Sequence, residues 1–277
     1  MGDADRDRLK KTFDEDAALY DSIRPGYPDR LFDDLVEGAG LHPGTRVLEV
    51  GCGTGQATVP LAKRGLGVVC VEVGDALAAV ARENLAAYPQ VEVVTAPFED
   101  WDPGGSSFDL VLAATSWHWI DPEVRCSRAA AALRPHGALA VISTHHVLPP
   151  GDGDGFFVDV QSAYSAIGEE DSPPPPAWSC SSDSPPDGIA DDRDEIEAAG
   201  PFTDVTVTRY LWDRWYTADE YVALLDTYSG HRAMEPGARR WLYEEIRGRI
   251  QARPGGRVQK HYLFILHLAR PVAPARR

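Results

Sequence analysis

Along the first half of the chain, short runs of apolar residues alternate with longer segments in which apolar residues recur at helical spacing. The apolar runs predict buried strands at 47–50, 68–72, 91–94, 108–114 and 138–143. Helical spacing predicts one helix that ends at Lys63 and others at 76–87 and 122–133, with Asp75 and Asp121 as caps. Strands that alternate with helices in this way indicate an α/β fold built on a parallel sheet.

The two ends of the chain add further elements to this core. Helices are predicted at 9–20, 28–37 and 156–167, followed by a flexible Pro- and Ser-rich loop and an acidic, solvated helix face at 191–197. Strands at 202–210 and 258–268 flank helices at 217–229 and 238–252. We therefore expect four parts: a helical lid at 1–40, a core at 41–148, a flexible insertion or cap at 149–200, and a terminal part at 201–277 that completes the core and cap.

Composition narrows the class of protein. The 277 residues are 43% hydrophobic and carry a net charge of −16, which disfavours nucleic acid as a partner because phosphate binding needs clustered Lys and Arg. No apolar run approaches the ~18 residues of a membrane span. The charged first residues lead into no signal-peptide core, so we expect a cytoplasmic protein without a membrane partner. Four scattered cysteines, and the adjacent His145 and His146 that would point to opposite sides of a strand, predict no metal site.

The first predicted strand leads into a glycine-rich loop. Gly51, Gly53 and Gly55 alternate with other residues, and a predicted helix follows. Glycines allow the backbone to approach a ligand, the helix start favours a negative group, and Glu49 suits an ammonium group. In the dinucleotide pattern G-x-G-x-x-G the third glycine would fall on Gln56, so a nicotinamide dehydrogenase is disfavoured. A tight turn without a ligand is the simpler alternative, but three glycines would then weaken the fold to no benefit.

Glu49 to Gly55 reads E-x-G-x-G-x-G and resembles the first motif of the class I S-adenosylmethionine-dependent methyltransferases. Phe-Asp-Leu-Val at 108–111 and Leu-Arg-Pro-His-Gly-Ala-Leu at 133–139 are similar to later motifs of that family. The resemblance implies a Rossmann-like, doubly wound, seven-stranded and mostly parallel sheet with a helical cap, and S-adenosylmethionine as cofactor. It implies these cofactor-binding residues: Tyr20, Arg24, Glu49, Gly51, Cys52, Gly53, Gly55, Gln56, Glu72, Val73, Pro97, Phe98, Glu99, Ala114, Thr115 and Trp117.

Two of these positions need comment. Glu72 ends the second predicted strand, where an acid can accept hydrogen bonds from ribose hydroxyls. Pro97 stands where the resembled family usually has an Asp that holds the adenine amine. This leaves two alternatives for Phe98: it supplies ring packing and a backbone N–H, or it is a plain core residue.

The methyl acceptor is less clearly indicated. Arg-Pro-Gly-Tyr-Pro at 24–28 and the His-Trp pair at 118–119 resemble small-molecule methyltransferases of the trans-aconitate type, which implies a small-molecule acceptor and a carboxylate oxygen as the first choice. Tyr27, Trp119 and His145 are the expected substrate contacts. If the acceptor needs a general base, His118 or Tyr228 is the candidate. We expect at least one residue of Trp117–Trp119 to belong to the core instead. The alternatives are a tailoring enzyme that methylates O, N or C, and a protein that binds the cofactor without methyl transfer.

Overall fold

Seven strands form one sheet in the order β3-β2-β1-β4-β5-β7-β6. The strands are β1 (Arg46–Val50), β2 (Gly67–Glu72), β3 (Val91–Thr95), β4 (Phe108–Ala114), β5 (Leu133–Val147), β6 (Phe202–Thr217) and β7 (Arg257–Pro271). Neighbours among β1 to β5 pair in parallel, whereas β7 is antiparallel to both β5 and β6. The computed structural model describes residues 14–105, 107–149, 155–169, 174–178, 189 and 191–272. The prediction of a mostly parallel seven-stranded sheet is confirmed.

Helices connect the strands and cover the sheet. They are α1 (Ala17–Ile23), α2 (Asp29–Ala39), α3 (Thr58–Lys63), α4 (Asp75–Asn84), α5 (Arg125–Ala132), α6 (Phe156–Asp159), α7 (Gln161–Ala166), α8 (Arg193–Ala198), α9 (Ala218–Leu225), α10 (Ser229–Arg232) and α11 (Pro236–Gln251), with 3₁₀ turns at Trp117–Trp119 and Pro254–Gly256. Alternate residues of the central strands enter two apolar clusters, with Val47 in one and Leu48 in the other. The sheet is therefore buried on both faces, as parallel sheets are.

Two strands are longer than the apolar pattern predicts. β5 begins at Leu133 rather than at 138, and Leu133 pairs with Phe108 before an irregularity in the ladder. β6 continues to Thr217 because it pairs with β7 along its length, from Phe202 opposite Pro271 to Thr217 opposite Arg257. Polar residues in this outer strand interrupt the apolar pattern, but the backbone ladder does not require apolar side chains.

Several helix ends also differ from their predictions. Asp75 is the first residue of α4 and forms no side-chain cap; instead the N–H of Leu77 donates to Oδ1 of Asp14, at 2.9 Å. Asp121 is likewise not a helix cap, because α5 begins only at Arg125. The predicted helix at 156–167 consists of α6 and α7. The predicted helix at 217–229 ends at Leu225, after which α10 begins at Ser229.

The region 149–200 contributes to the core in its described parts. Phe156 and Phe157 pack into the larger apolar cluster, and Trp178 is buried against β7. Asp191 is half-buried and accepts hydrogen bonds from His267 at 2.9 Å and Arg209 at 2.9 Å, whereas Asp194, Glu195 and Glu197 are exposed as predicted. The predicted flexible loop lies largely outside the described residues, as does the first part of the predicted lid. Among the helices that the structure describes, none has the length and apolar character needed to cross a membrane.

Helices α9, α10 and α11 are inserted between β6 and β7. Since β6 runs parallel to β5, its carboxyl end at Thr217 lies at the same edge of the sheet as the carboxyl ends of β1 to β5. Thr217 starts the insertion with a capping box: its hydroxyl accepts from the N–H of Glu220, whose side chain accepts from the N–H of Thr217. The insertion therefore begins at the edge where open α/β sheets bind their ligands.

Candidate active site

A cavity of about 340 Å³ lies at the carboxyl ends of β1, β2 and β4. We call it the glycine-loop cavity, because the loop from Gly51 to Gln56 forms one of its walls. Most of the residues predicted to bind a cofactor contribute to its lining: Tyr20, Arg24, Glu49, Gly51, Cys52, Gly53, Gln56, Glu72, Val73, Phe98, Glu99, Ala114 and Thr115. The fold thus brings together residues that lie almost a hundred positions apart in the sequence.

The three glycines of the loop serve different purposes. All have positive φ, at 70° for Gly51, 56° for Gly53 and 94° for Gly55. A Cβ atom on Gly51 would lie 2.7 Å from Cβ of Ser116, and one on Gly55 would lie 3.2 Å from Leu85. A Cβ on Gly53 would lie 3.7 Å from the ring of Tyr20, an ordinary contact. Gly51 and Gly55 are therefore needed for close packing. Gly53 lies on the cavity wall, whereas Gly55 does not line the cavity.

Glu49 and Gln56 place buried polar atoms without partners at this cavity. Oε2 of Glu49 accepts from the hydroxyl of Thr58 at 2.7 Å, but its Oε1 and Nε2 of Gln56 have no hydrogen-bond partner. Burial, together with the charge of the nearby Glu72, raises the pKa of Glu49 to about 8. An unsatisfied buried carboxylate oxygen fits the ammonium group of an amino-acid ligand.

Glu72 holds the loop as well as facing the cavity. The N–H of Gly53 donates to its Oε2 at 2.8 Å, and the N–H of Gly74 donates to its Oε1 at 2.9 Å. Burial raises the pKa of Glu72, although these two backbone bonds favour the ionised form. A carboxylate has about four acceptor positions, so both oxygens remain able to accept from a diol ligand.

The far end of the cavity is aromatic. Phe98, Glu99, His118, Trp119 and Ile120 line it. The rings of His118 and Trp119 lie 4.8 Å apart, and Glu99 accepts from the N–H of Asp121 at 3.2 Å. This end provides a flat apolar surface beside a carboxylate, which suits a heteroaromatic ring with an amino group.

Besides Gly55, two predicted cofactor contacts fall outside the cavity. Trp117 is 3% exposed and packs in the core, with the guanidinium of Arg125 at 5.0 Å from its ring. Residues of a 3₁₀ turn point in directions about 120° apart, so Trp117 faces inward while His118 and Trp119 face the cavity. Pro97 is exposed and does not line the cavity either. Both assignments are corrected.

Arg24 connects the N-terminal segment to the inserted helices. Its Nε donates to Oγ1 of Thr227 at 2.8 Å and its Nη2 to the Thr227 carbonyl oxygen at 2.7 Å. Its guanidinium also lies between two aromatic rings, 4.9 Å from Tyr20 and 4.5 Å from Tyr228. These contacts join segments that are 203 residues apart, across the top of the glycine-loop cavity.

A second cavity, of about 510 Å³, adjoins the first. We call it the tyrosine cavity, because its aromatic lining comprises Tyr20, Tyr27, Phe157, Tyr164, Tyr221, Tyr228, Tyr262 and Phe264. His145, predicted as a substrate contact, also lines it. Seven residues line both cavities: Tyr20, Arg24, Tyr27, Gln56, Thr115, Thr144 and Tyr228. We refer to these seven as the shared wall.

Thr115 stands at the shared wall in a strained conformation. Its φ is 58°, a region that β-branched residues rarely adopt. The strain places its hydroxyl 3.1 Å from that of Tyr27 and 3.0 Å from that of Thr144. Three hydroxyl groups from three separate segments of the chain are thereby connected in a row between the two cavities.

The two predicted general bases, Tyr228 and His118, differ in their pKa values and in their location. Burial raises the pKa of Tyr228 to about 12, so its phenol keeps its proton at neutral pH. His118 keeps contact with solvent, but the surrounding protein and then Arg125 lower its pKa to about 4, so it is neutral at pH 7 but a weak base. It lines only the glycine-loop cavity, however, and so does Trp119, which was predicted to contact the substrate. The structure therefore places neither of these two residues in the tyrosine cavity.

The sequence pattern missed several residues of the tyrosine cavity, including His146, His231 and Lys260. Lys260 had a usable signal: it precedes Tyr262 and Phe264 at alternate positions of a strand, so the three share a face.

Comparisons with known proteins agree with this site. Residues 47–137 match the family model described as "Methyltransferase domain". An uncharacterised methyltransferase of Mycobacterium tuberculosis is 35% identical over 134 residues, which are 48% of this chain and 52% of that protein. The malonyl-[acyl-carrier protein] O-methyltransferase of Geobacter sulfurreducens is 27% identical over 167 residues, which are 58% of this chain and 59% of that protein. The chain thus spans about half the length of the curated relatives it matches.

Solved structures share the fold. A proposed type II methyltransferase from Anaeromyxobacter dehalogenans has a TM-score of 0.61 at 23% identity, covering 91% of this chain and 99% of that one. Phosphoethanolamine N-methyltransferase 2 of Haemonchus contortus, in complex with S-adenosylmethionine, has a TM-score of 0.52 at 18% identity, covering 98% and 60%. The family match identifies a methyltransferase domain at residues 47–137, and the solved structures share the methyltransferase-like α/β fold.

Proposed function

We propose that this protein transfers the methyl group of S-adenosylmethionine to a small molecule bound in the tyrosine cavity. The observation that carries the proposal is the shared wall: a cavity suited to the cofactor and a larger aromatic cavity meet at seven residues. Methyl transfer requires a donor and an acceptor that meet in line, and two adjoining cavities meet that requirement.

The glycine-loop cavity fits the cofactor by its unsatisfied polar atoms. Oε1 of Glu49 would accept from the ammonium group, and Glu72 would accept from the ribose hydroxyls. Phe98 and Trp119 would pack against the adenine ring, with Glu99 near its amino group. When bound, S-adenosylmethionine supplies an electrophilic methyl group on a positively charged sulfur.

The main contribution of the protein is then to position the two reactants. Holding two reactants in a productive geometry can be worth roughly 7–11 kcal/mol. Tyr20, Arg24 and Tyr27 lie on the shared wall, and α9 and α10 cover the edge of the sheet. We assign the N-terminal segment as a lid and these helices as a cap, which together exclude water from the reacting groups.

A carboxylate oxygen is the first choice for the methylated atom. Such an acceptor is already a nucleophile at neutral pH and needs no general base, which agrees with the protonated state of Tyr228, one of the two candidate bases. The Geobacter relative is named as an O-methyltransferase of a malonyl group. A tailoring enzyme that methylates O, N or C of another small molecule is the second candidate.

Three buried free cysteines among the described residues fit a reducing compartment such as the cytoplasm.

The test measures S-adenosylhomocysteine by mass spectrometry after incubation with S-adenosylmethionine and a panel of small acids, phenols and amines. Product formed with at least one acceptor supports the proposal. Tight binding of S-adenosylhomocysteine with no turnover on any acceptor would indicate a cofactor-binding protein without methyl transfer. Binding of NADH, seen by fluorescence, together with no binding of S-adenosylmethionine would instead favour a dehydrogenase.

A further inference from the structure

Lys260 is a buried lysine that has no counter-charge among the residues that the structure describes. It is 3% exposed and lies on β7, lining the tyrosine cavity. None of the ion pairs or hydrogen bonds found within the described ranges involves its ammonium group. Its Nζ lies 5.3 Å from the ring centre of Tyr262 and 5.8 Å from that of Phe157. Burial, and then the charge of Arg24, lower the pKa of Lys260 well below its usual value.

The described residues around Lys260 do not supply a buried anion. The other titratable groups with a possible positive charge in this cavity are Arg24, His145, His146 and His231, and Nε2 of both His145 and His146 is buried without a partner. Burial lowers the pKa of all three histidines, which keeps them neutral. Among the described lining residues the single carboxylate is that of Glu169, which is exposed. An isolated buried ammonium is costly, so this arrangement is suited to a ligand that brings the negative charge.

The two cavities therefore differ in the sign of their charge. Three carboxylates, of Glu49, Glu72 and Glu99, line the glycine-loop cavity, which suits a cofactor with a sulfonium and an ammonium group. Lys260 lines the tyrosine cavity and not the glycine-loop cavity, so it lies off the shared wall. A group held by Lys260 would consequently be separate from the atom that meets the cofactor.

Resting on the proposed function, we infer that the methyl acceptor is a small aromatic or unsaturated acid whose carboxylate binds Lys260, while a second nucleophilic group of the same molecule faces the shared wall. The aromatic rings around the cavity enclose the body of such a molecule. Lys260 is a binding residue that sets specificity and orientation. If the methylated atom is itself a carboxylate oxygen, the acceptor carries two acids.

The test compares acids with their neutral amides. 4-Hydroxyphenylacetate, cinnamate and phenylsuccinate, each beside its amide, are titrated calorimetrically into protein saturated with S-adenosylhomocysteine. At least one acid should bind the wild type at least about tenfold more tightly than its amide. Lys260→Met should remove this preference and leave the affinity for S-adenosylhomocysteine unchanged. Lys63→Met, which removes the same charge from an exposed position on α3, should keep both.

A second readout follows Lys260 directly. The chain contains four lysines, so ¹⁵N-lysine labelling gives few side-chain signals, and Lys260→Met identifies the relevant one. The acid should raise the pKa of that group by at least about one unit, and the amide should not. Equal binding of acids and amides, no binding of any acid, or a preference that survives Lys260→Met would overturn the inference. Acid binding at Lys260 in a protein that binds no S-adenosylhomocysteine would refute the proposed function alone.

Discussion

Glu72, at the end of β2, accepts a hydrogen bond from the backbone N–H of Gly53, 19 residues earlier in the chain. The residue expected to bind the cofactor ribose therefore also fixes the loop expected to bind the rest of the cofactor. Removing it should affect both the ligand and the loop, rather than the ligand alone.

Glu72→Ala should lower the affinity for S-adenosylhomocysteine at least about tenfold, because hydrogen bonds to a charged group are worth roughly 1.5–3 kcal/mol each. It should also lower the melting temperature, because Gly53 and Gly74 lose their acceptor. Calorimetric titration and thermal denaturation measure the two effects. Glu83→Ala, at an exposed position of α4, serves as the control and should change neither. Normal affinity in a variant that melts early would show that Glu72 is structural only.

Gly53→Val should abolish cofactor binding at a modest cost in stability. The new side chain would extend from a Cβ that is 3.7 Å from Tyr20, into the space between loop and lid. Gly40→Val is a matched control, because Gly40 also has positive φ, at 69°, but has nothing within 4 Å of its Cβ position. Both variants should lose about 1 kcal/mol or more to backbone strain, but affinity for S-adenosylhomocysteine should fall only in Gly53→Val. Unchanged affinity in Gly53→Val would refute the assignment of the loop.

The protonation of Glu49 should make stability depend on pH. Burial raises its pKa from 4.5 to about 8 in the folded protein, so the folded state holds this proton more tightly than the unfolded state. The contribution of Glu49 to stability is therefore lost as pH rises between these two values, by ~1.4 kcal/mol for each unit of pKa shift.

Glu49→Gln keeps an acceptor for Thr58 and removes the titration. Its melting temperature relative to the wild type should rise as pH increases from 4.5 to 8. Glu92→Gln, at an exposed position of β3, should show no such trend. A constant difference between Glu49→Gln and wild type across this range would show that Glu49 is ionised in the folded protein throughout.

The lid can be tested through Arg24. Arg24→Met breaks two hydrogen bonds to Thr227 and should reduce turnover at least about tenfold, with a smaller change in affinity for S-adenosylhomocysteine. Arg30→Met, which removes an exposed arginine of α2 paired with Asp34, is the control.

In limited proteolysis, cleavage within 1–28 or 150–190 should slow when S-adenosylhomocysteine and acceptor are present. Full activity after deletion of residues 1–19 would show that the first helix only packs on the core.

The sequence predicts the sheet and the glycine loop because both depend on local patterns. Buried strands appear as apolar runs, and Gly51, Gly53 and Gly55 require positive φ within five residues. The sequence could not show that Trp117 lies in the core while Trp119 lines the glycine-loop cavity. A 3₁₀ turn of three residues is too short for a hydrophobic periodicity that would distinguish them. Lys260 was missed for a different reason: which face of β7 meets a cavity depends on where β7 lies in the sheet, and this is set by its pairing with His145 and Val147 on β5.

The paired ends of the insertion have an evolutionary consequence. Thr217 and Arg257 are partners in the β6–β7 ladder, so everything between them forms a loop that is already closed at its base. Changing the length of such a loop costs little free energy, because closure entropy grows only slowly with length. Natural variants or laboratory recombinants could therefore exchange residues 218–256 as one cassette, with β1 to β4 left intact. Diversity among proteins of this architecture should accordingly concentrate in this cassette, where new acceptors can be acquired without rebuilding the site for the methyl donor.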